Sequence, residues 1–397
     1  MAQHTRVVVV GGGYAGVTAA NRLTGGSDVD VTVVNPRPVF VERIRLHQLV
    51  GGSDDAVVDF DDVLADGVRL VVDTVETIDA AGRTLRLASG TTLDYDYLVY
   101  AAGSHGRVGD VPGAAEHAHP IAELADAERL RAALRSADAG TGAAVTVVGS
   151  GPAGIETAAE LGENGIPVTL FCGGQLGPYL HPSGRRVVAK RLAQLGVSVV
   201  DGPGSRVVAV RADAVELADG RSVPSDVTIW TTGFGVPDLA RRSGLSVDAA
   251  GRLLTDESLT SVDDDRIVAA GDSAAPSGVP LRMSCQAAEP LGGHAADTVL
   301  RRIAGERPAP LVMGFFGECI SLGRRHGIFQ FAHKDDTAIR FHVSGRAGAA
   351  LKAFVCWGTV KQLEIEAKHP GRLRLPASFA DPARRRMLAT AEQGVRG

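Results

Sequence analysis

The pattern of apolar and polar positions picks out one short unit twice along the chain. Residues 6–35, RVVVVGGGYAGVTAANRLTGGSDVDVTVVN, read as a β-branched strand, a glycine turn, an alanine-rich helix and a second β-branched strand. Residues 144–172, AVTVVGSGPAGIETAAELGENGIPVTLFC, repeat that order. Each is a βαβ unit of about 30 residues. A second echo follows each unit: GRTLRLASGTTLDYDYLVYAAGS (82–104) and ADAVELADGRSVPSDVTIWTTGF (212–234). Gly90 and Gly103 are separated by the same interval as Gly220 and Gly233. Two elements repeated in the same order imply two homologous domains.

The repeat divides the chain. Residues 1–108 read as the first part of one dinucleotide-binding domain, and 109–245 as a second such domain. Residues 246–310 carry a strand and a glycine–aspartate turn, RIVAAGDSA, with no third fingerprint ahead of them. This segment is expected to return and complete the first domain. The remainder, 311–397, opens with strand-like FFGECISLG and HGIFQFA, turns helical at RAGAALKAFVCWGTVKQL and ends in an Arg-rich tail. The expected fold is α/β: two Rossmann-like dinucleotide-binding domains and a C-terminal α+β interface segment.

Composition narrows the function. Glycine is 49 of 397 residues, about 12% against a usual ~7%, as befits tight turns and close backbone approaches. A net charge of −5 provides no basic field for nucleic acid. Four cysteines, Cys172, Cys285, Cys319 and Cys356, are spread along the chain without a C-x-x-C, so neither a disulfide framework nor a metal site is expected. The N-terminus enters a strand without a signal-peptide layout, and no apolar run reaches the ~18 residues of a membrane span. A cytoplasmic protein is expected, at most peripheral at the inner face of a membrane and free to pair as a homodimer.

The first fingerprint is Gly11-Gly12-Gly13-Tyr14-Ala15-Gly16. Gly11 permits the tight turn, Gly13 lets a pyrophosphate approach the backbone, and Gly16 allows helix to pack on strand, with the phosphates at the helix N-terminus. The second is Gly149-x-Gly151-Pro152-Ala153-Gly154. At the end of the first unit's second strand, where an acid usually meets the ribose, stand Asn35, Pro36 and Arg37. Asn35 can still accept a hydrogen bond, and Arg37 can lie over an adenine face. The second unit ends Phe171-Cys172-Gly173-Gly174, with neither the acid that favours NADH nor an adjacent Arg for NADPH.

Together, the two fingerprints, the strand–glycine echoes and RIVAAGDSA resemble the two-dinucleotide-fold flavoproteins. That family includes glutathione reductase, ferredoxin reductases, apoptosis-inducing-factor-like proteins and type II NADH dehydrogenases. The resemblance covers roughly residues 5–305. It implies FAD on the first domain, NADH or NADPH on the second, and hydride transfer where they meet. It further implies that Asp272 of Gly271-Asp272 bonds the ribityl chain, and that Ala102-Gly103 passes close to the cofactor, with Gly233 as the second-domain counterpart. By the same resemblance the backbone of Val75 would meet the adenine, and Gln286 and Ala287 would begin a helix aimed at the flavin pyrimidine.

The departures sharpen the picture. The C-x-x-x-x-C of disulfide reductases is missing, so a dithiol relay is not expected. Where a lysine often stands near the flavin, the chain reads FVERIRLHQ, which makes Arg43 or Arg45 the expected cation, paired with Glu156 and neighboured by His47. The A-Q-x-A-x-Q-Q stretch of type II dehydrogenases becomes Cys285-Gln286-Ala287-Ala288-Glu289-Pro290-Leu291, keeping the first glutamine but not the pair. Glu160 falls where such enzymes place a carboxylate near the flavin, with proton transfer its implied role. The helix over 347–363 is expected to gather Leu351, Phe354, Val355 and Gly358 on one side, against the flavin domain or a membrane. The resemblance thus implies an NAD(P)H dehydrogenase with a quinone-like acceptor. Reduction of a ferredoxin-like protein, or a nucleotide-sensing interaction role of the apoptosis-inducing-factor kind, are the alternatives.

Overall fold

The computed structural model describes residues 4–137 and 142–395. The first repeat unit forms β1 (Thr5–Val10), α1 (Tyr14–Leu23) and β2 (Val29–Asn35), followed by α2 (Leu46–Gly51), β3 (Arg69–Val72) and β4 (Tyr97–Tyr100). The second part builds β5 (Ala118–Pro120), β6 (Val145–Val148), α3 (Pro152–Glu163), β7 (Val168–Phe171), β8 (Ser198–Val200) and β9 (Val227–Trp230). Then β10 (Ile267–Ala269) returns to pair with β4.

Two five-stranded parallel sheets result, ordered β10-β4-β1-β2-β3 and β5-β9-β6-β7-β8. Four strands of each correspond in order, β4-β1-β2-β3 with β9-β6-β7-β8, and the outer edge is filled by a late strand in one and an early strand in the other; β1 and β6 are central, and each feeds a glycine turn. Val7–Val10 and Val145–Val148 are buried throughout, as strands covered on both faces must be. Each glycine turn therefore lies at the carboxyl edge of its sheet, beside the point where strand order reverses, which is where open α/β sheets bind ligands.

α4 (Cys285–Ile303) crosses α1 so closely that a Cβ on Gly292 would strike the backbone of Ala15. The C-terminal segment adds an antiparallel sheet of β11 (Gly317–Ser321), β12 (Gly327–Ala332) and β13 (Ala338–Ser344), then α5 (Gly345–Lys368). The far end of α5 is held to α1 by a buried Arg22–Glu366 ion pair (2.6 Å) and by the Asn21 amide donating to the Leu363 carbonyl (3.1 Å).

The rotation of α5 differs from expectation. Its inward line is Gly348, Cys356, Thr359, Leu363 and Glu366, while Phe354 and Trp357 are 62% and 56% exposed. The cause is Gly348, which seats the helix directly on the Gly327 carbonyl and so fixes which face meets the sheet. No helix among the described residues is long and apolar enough to cross a membrane.

Candidate active site

The two glycine turns, the β4 and β9 ends, and the C-terminal sheet enclose one chamber of about 1000 Å³. Its walls include Gly13, Tyr14 and Ala15 from the first fingerprint and Gly149, Gly151, Pro152 and Ala153 from the second. A Cβ on Gly13 or Gly151 would meet nothing within 4 Å, so the space above both turns is open for a ligand. Gly16 and Gly154 do the opposite job: a Cβ on either would fall on the carbonyl oxygen of Gly11 or Gly149. Neither α1 nor α3 has a side-chain cap or an acidic residue in its first turn. Their leading N–H groups and dipoles are available to phosphate. These cradles fit a dinucleotide at each turn.

Gly103, Gly233, Gly271, Asp272, Arg43, Glu156 and Gln286 line the same chamber. Asp272 accepts a hydrogen bond from Ser104 Oγ (2.6 Å) and faces Arg43 at 3.7 Å. Other expected residues serve the walls from behind. The Asn35 side chain accepts from the Gly12 N–H (2.9 Å) and donates to the Arg37 carbonyl (2.8 Å), so its amide builds the turn rather than facing the chamber. Arg37 pairs with Glu123 (3.1 Å). Gly11, Gly12, Gly16, Pro36, Val75, Ala102, Gly154 and Ala287 lie outside the lining. The Ala287 N–H is capped by Ser284 Oγ (3.3 Å). With its amide oriented to suit both neighbours, Gln286 donates to the Gly317 carbonyl (3.0 Å) and accepts from the Phe316 N–H (3.1 Å), clamping α4 to β11.

Two expectations need correction. The first concerns the cation beside Glu156, which is neither Arg43 nor Arg45. Arg43 is drawn to Ser104 Oγ (3.0 Å) and the Ala122 carbonyl (3.1 Å), and Arg45 to Glu42 (3.0 Å) and Asp54 (3.1 Å). Glu156 is met instead by Lys352 of α5, Nζ to Oε1 at 2.9 Å, and its Oε1 also accepts from the Ser321 N–H (2.8 Å). The second concerns Glu160, which does not reach the chamber. It lies one helical turn, about 6 Å, beyond Glu156. There α2 covers it: Gly51 packs on its side chain and Ser53 Oγ donates to Oε1 (2.6 Å).

His47 lies against Glu156, Nδ1 to Oε2 at 3.7 Å, while its buried Nε2 has no partner. Burial drives the His47 pKa down to about 4, Lys352 and Arg45 adding to the fall and Glu156 opposing it. Its ring is neutral at physiological pH. Burial would raise the Glu156 carboxyl, but Lys352, His47 and the Ser321 N–H outweigh it and hold the group below its usual range. Burial would lower Lys352, but Glu156 overcomes it and the ammonium is held well above its usual range. The chamber thus carries a fixed ion pair beside a neutral imidazole.

Lys352 is one of only five lysines in the chain, and it sits on α5 between inward-facing Gly348 and Cys356. Cys285 and Cys319, distant in sequence, also line the chamber. Burial pushes the Cys285 thiol up to about 12 and raises that of Cys319, so both remain protonated. They are poor nucleophiles in this setting.

The chain is similar to known oxidoreductases along most of its length. A family model described as pyridine nucleotide-disulphide oxidoreductase matches residues 5–292. An NADH dehydrogenase-like protein of Mycobacterium tuberculosis is 30% identical over 355 residues, covering 82% of this chain and 87% of that protein. The type II NADH:quinone oxidoreductase of the same organism is 27% identical over 345 residues, covering 77% and 74%. Among solved structures, the sulfide:quinone oxidoreductase of Aquifex aeolicus shares the fold with a TM-score of 0.77, at 22% identity over 92% of this chain and 93% of that one. With two open phosphate cradles on one chamber and a family match across both, this chain belongs to the pyridine nucleotide-disulphide oxidoreductase family, whose members use FAD and a pyridine nucleotide.

Proposed function

We propose that this protein oxidises NADH or NADPH and passes the electrons to a quinone. The observation that carries this reading is the third wall of the chamber. It brings apolar Leu281, Met283, Phe316, Phe329 and Val355 to the chamber together with the Lys352 ammonium and with Arg282, which is paired to Glu318 and Asp336. Apolar side chains with a buried ammonium among them suit a flat ring whose oxygens gain protons on reduction. The type II NADH:quinone oxidoreductase among the relatives supports the same acceptor.

FAD, when bound, supplies the hydride acceptor and the electron store between donor and quinone. The protein's own residues do the rest. Gly13 and the α1 N-terminus would hold the pyrophosphate of FAD, with Asp272 toward its ribityl chain, and Gly151 and the α3 N-terminus would hold that of the nicotinamide nucleotide. Arg43, bridging Ser104 and the Ala122 carbonyl, fixes the loop that carries Asp272's partner. Lys352 holds a proton at Nζ and Glu156 keeps it there, positioned by the Ser321 N–H and flanked by His47. The proton-bearing role expected of Glu160 passes to this pair. In the same reading, residues 1–108 with 246–310 form the FAD-binding domain and 109–245 the nucleotide-binding domain.

An acceptor panel tests the reading: the NADH-reduced protein is mixed anaerobically with benzoquinones, naphthoquinones or a ferredoxin, and separately with oxygen. Quinones should reoxidise it at least about 10²-fold faster than oxygen. Reoxidation by ferredoxin faster than by any quinone overturns the proposal.

A further inference from the structure

The two repeat units part company at the end of their second strands. In the first, β2 ends at Asn35, and the basic residue beyond it, Arg37, is already paired with Glu123 (3.1 Å). In the second, β7 ends at Phe171, and Cys172-Gly173-Gly174 follow. This is the place where an acid usually accepts from the ribose 2′-hydroxyl of NADH. Cys172 lines the chamber there, and burial, with Asp201 adding to it, pushes its thiol up to about 11, so it is uncharged near neutral pH. Gly173 has a φ of +64°, and a Cβ on Gly174 would meet nothing within 4 Å. The strand end is both neutral and roomy.

What lies over it comes from the loop after β8. The Gly202 N–H donates to the Gly174 carbonyl, and Ser205 Oγ accepts from the Gly173 N–H (3.0 Å), which ties this loop to the glycine pair. Ser205 is buried, and the next residue, Arg206, is exposed. The Arg206 backbone is held in turn, its carbonyl accepting from the Ala218 N–H (2.8 Å). Its stem passes Gly173: a Cβ on that glycine would lie 3.7 Å from Arg206 Cα and 3.9 Å from its Cβ and Cγ. Among the described residues the Arg206 guanidinium has neither an ion pair nor a hydrogen bond. The same loop carries one acid, Asp201, exposed just beyond the end of β8. Were Asp201 to take the ribose hydroxyl, NADH would be the better donor. An unclaimed guanidinium over a neutral, open strand end suits a phosphate instead. Arginine binds phosphate through paired, charge-assisted hydrogen bonds, and a phosphate needs more room than the hydroxyl it replaces.

We infer that the protein discriminates between the two nicotinamide nucleotides in favour of NADPH, with Arg206 receiving the 2′-phosphate above Gly173-Gly174. NADH remains a donor at higher concentration. This inference rests on the reading of the second cradle as the nicotinamide site and names the nucleotide that reading leaves open.

The test joins binding to kinetics on the FAD-loaded protein. In calorimetric titration, adenosine 2′,5′-bisphosphate should bind at least about tenfold more tightly than adenosine 5′-monophosphate. In anaerobic stopped-flow, flavin reduction should half-saturate at a lower concentration of NADPH than of NADH, by a similar factor. Arg206→Gln should remove most of both differences by weakening only the 2′-phosphorylated ligands, with limiting rates and NADH half-saturation kept within about twofold. Arg206→Lys should restore part of the preference. Equal use of the two nucleotides, or a preference for NADH, by the unaltered protein overturns the inference and leaves the donor reading standing. Arg206→Gln that weakens NADH and NADPH alike marks a merely structural residue and also overturns it. So does Asp201→Asn that weakens NADH, because the ribose then belongs to Asp201. Failure of both nucleotides to reduce the flavin removes the donor reading, and this inference with it.

Discussion

The two dinucleotide units and the C-terminal segment are built on opposite terms. The units are near copies: two sheets matched in four of their five strands, two central strands, two glycine turns with one glycine opening outward and another packed inward. Backbone does the recognising there, so the same arrangement can serve twice. The segment from 311 onward has no counterpart in the rest of the chain. It contributes side chains instead: Lys352, Cys319, Phe316 and Phe329 all reach the chamber from it. In the proposed reading this is a division of labour: repeated backbone would bind nucleotides, and a unique segment would decide what the electrons meet.

The sharpest way to break the comparison is at the outward glycines. Gly151→Val should leave the fold intact, since no protein atom lies within 4 Å of its Cβ position, yet fill the space above the turn. Flavin reduction by NADH should fall at least about 10²-fold in stopped-flow, with flavin content unchanged. Gly154→Val, three residues on, should instead lower the melting temperature, because the new side chain meets the Gly149 carbonyl. If both variants lose stability alike, the outward–inward distinction fails.

Next in size is the loss of the buried cation. Lys352→Met leaves Glu156 inside the protein without its partner, at a cost of about 3–5 kcal/mol by denaturant unfolding near neutral pH. The pH dependence should follow. Glu156 is held low, so its contribution is present above the unfolded carboxylate range and disappears as pH falls through its lowered pKa. Lys352 is held high, so its contribution is full below the unfolded lysine range and is lost only as pH climbs through its raised pKa. A Lys352→Met/Glu156→Gln double variant should show neither limb.

His47 offers a similar-sized but narrower effect. Its ring stays neutral in the folded state down to about pH 4, whereas the unfolded chain takes up the proton near 6.5. Stability should therefore decline between about pH 6.5 and pH 4, by roughly 3 kcal/mol at the acid end. Replacing His47 with Gln should flatten that stretch of the curve; an unchanged slope would mean that the ring is not buried in neutral form.

How much of this was legible in the sequence follows the same division. Gly11-x-Gly13-x-x-Gly16, its repeat and the Gly103/Gly233 echo announced both sheets, because glycine marks where a Cβ would collide, as at Gly16 and Gly154, where φ is positive, as at Gly103 and Gly233, and where the space above a turn is left open, as at Gly13 and Gly151. The chamber walls at Asp272 and Gln286 also followed from the resemblance. Lys352 did not, since a lysine in an alanine-rich helix carries no motif and its partner is nearly two hundred residues away. Arg43 and Arg45 stood in the expected stretch, but local acceptors at Ser104, Glu42 and Asp54 claimed them first. Glu160 was misplaced by a single helical turn, a distance that sequence spacing does not translate into which neighbour covers it. The turn of α5 was invisible for a related reason. Gly348 fixes it through one backbone contact, against the pull of Phe354 and Trp357.

The smallest expected effect belongs to Glu160. Its carboxyl is raised by burial, despite the Ser53 hydrogen bond and Arg324, and it touches nothing in the chamber. Glu160→Gln should change quinone turnover by no more than a few-fold. A loss near 10²-fold would return the proton-bearing role to it.

The most direct measurement separates the two half-reactions in Lys352→Gln. If the C-terminal segment governs the acceptor side, anaerobic reduction of the bound flavin by NADH should stay within a few-fold of the unaltered protein. Reoxidation by a benzoquinone should slow by about 10²-fold, with a changed pH profile. Equal slowing of both half-reactions, or of neither, would contradict the account.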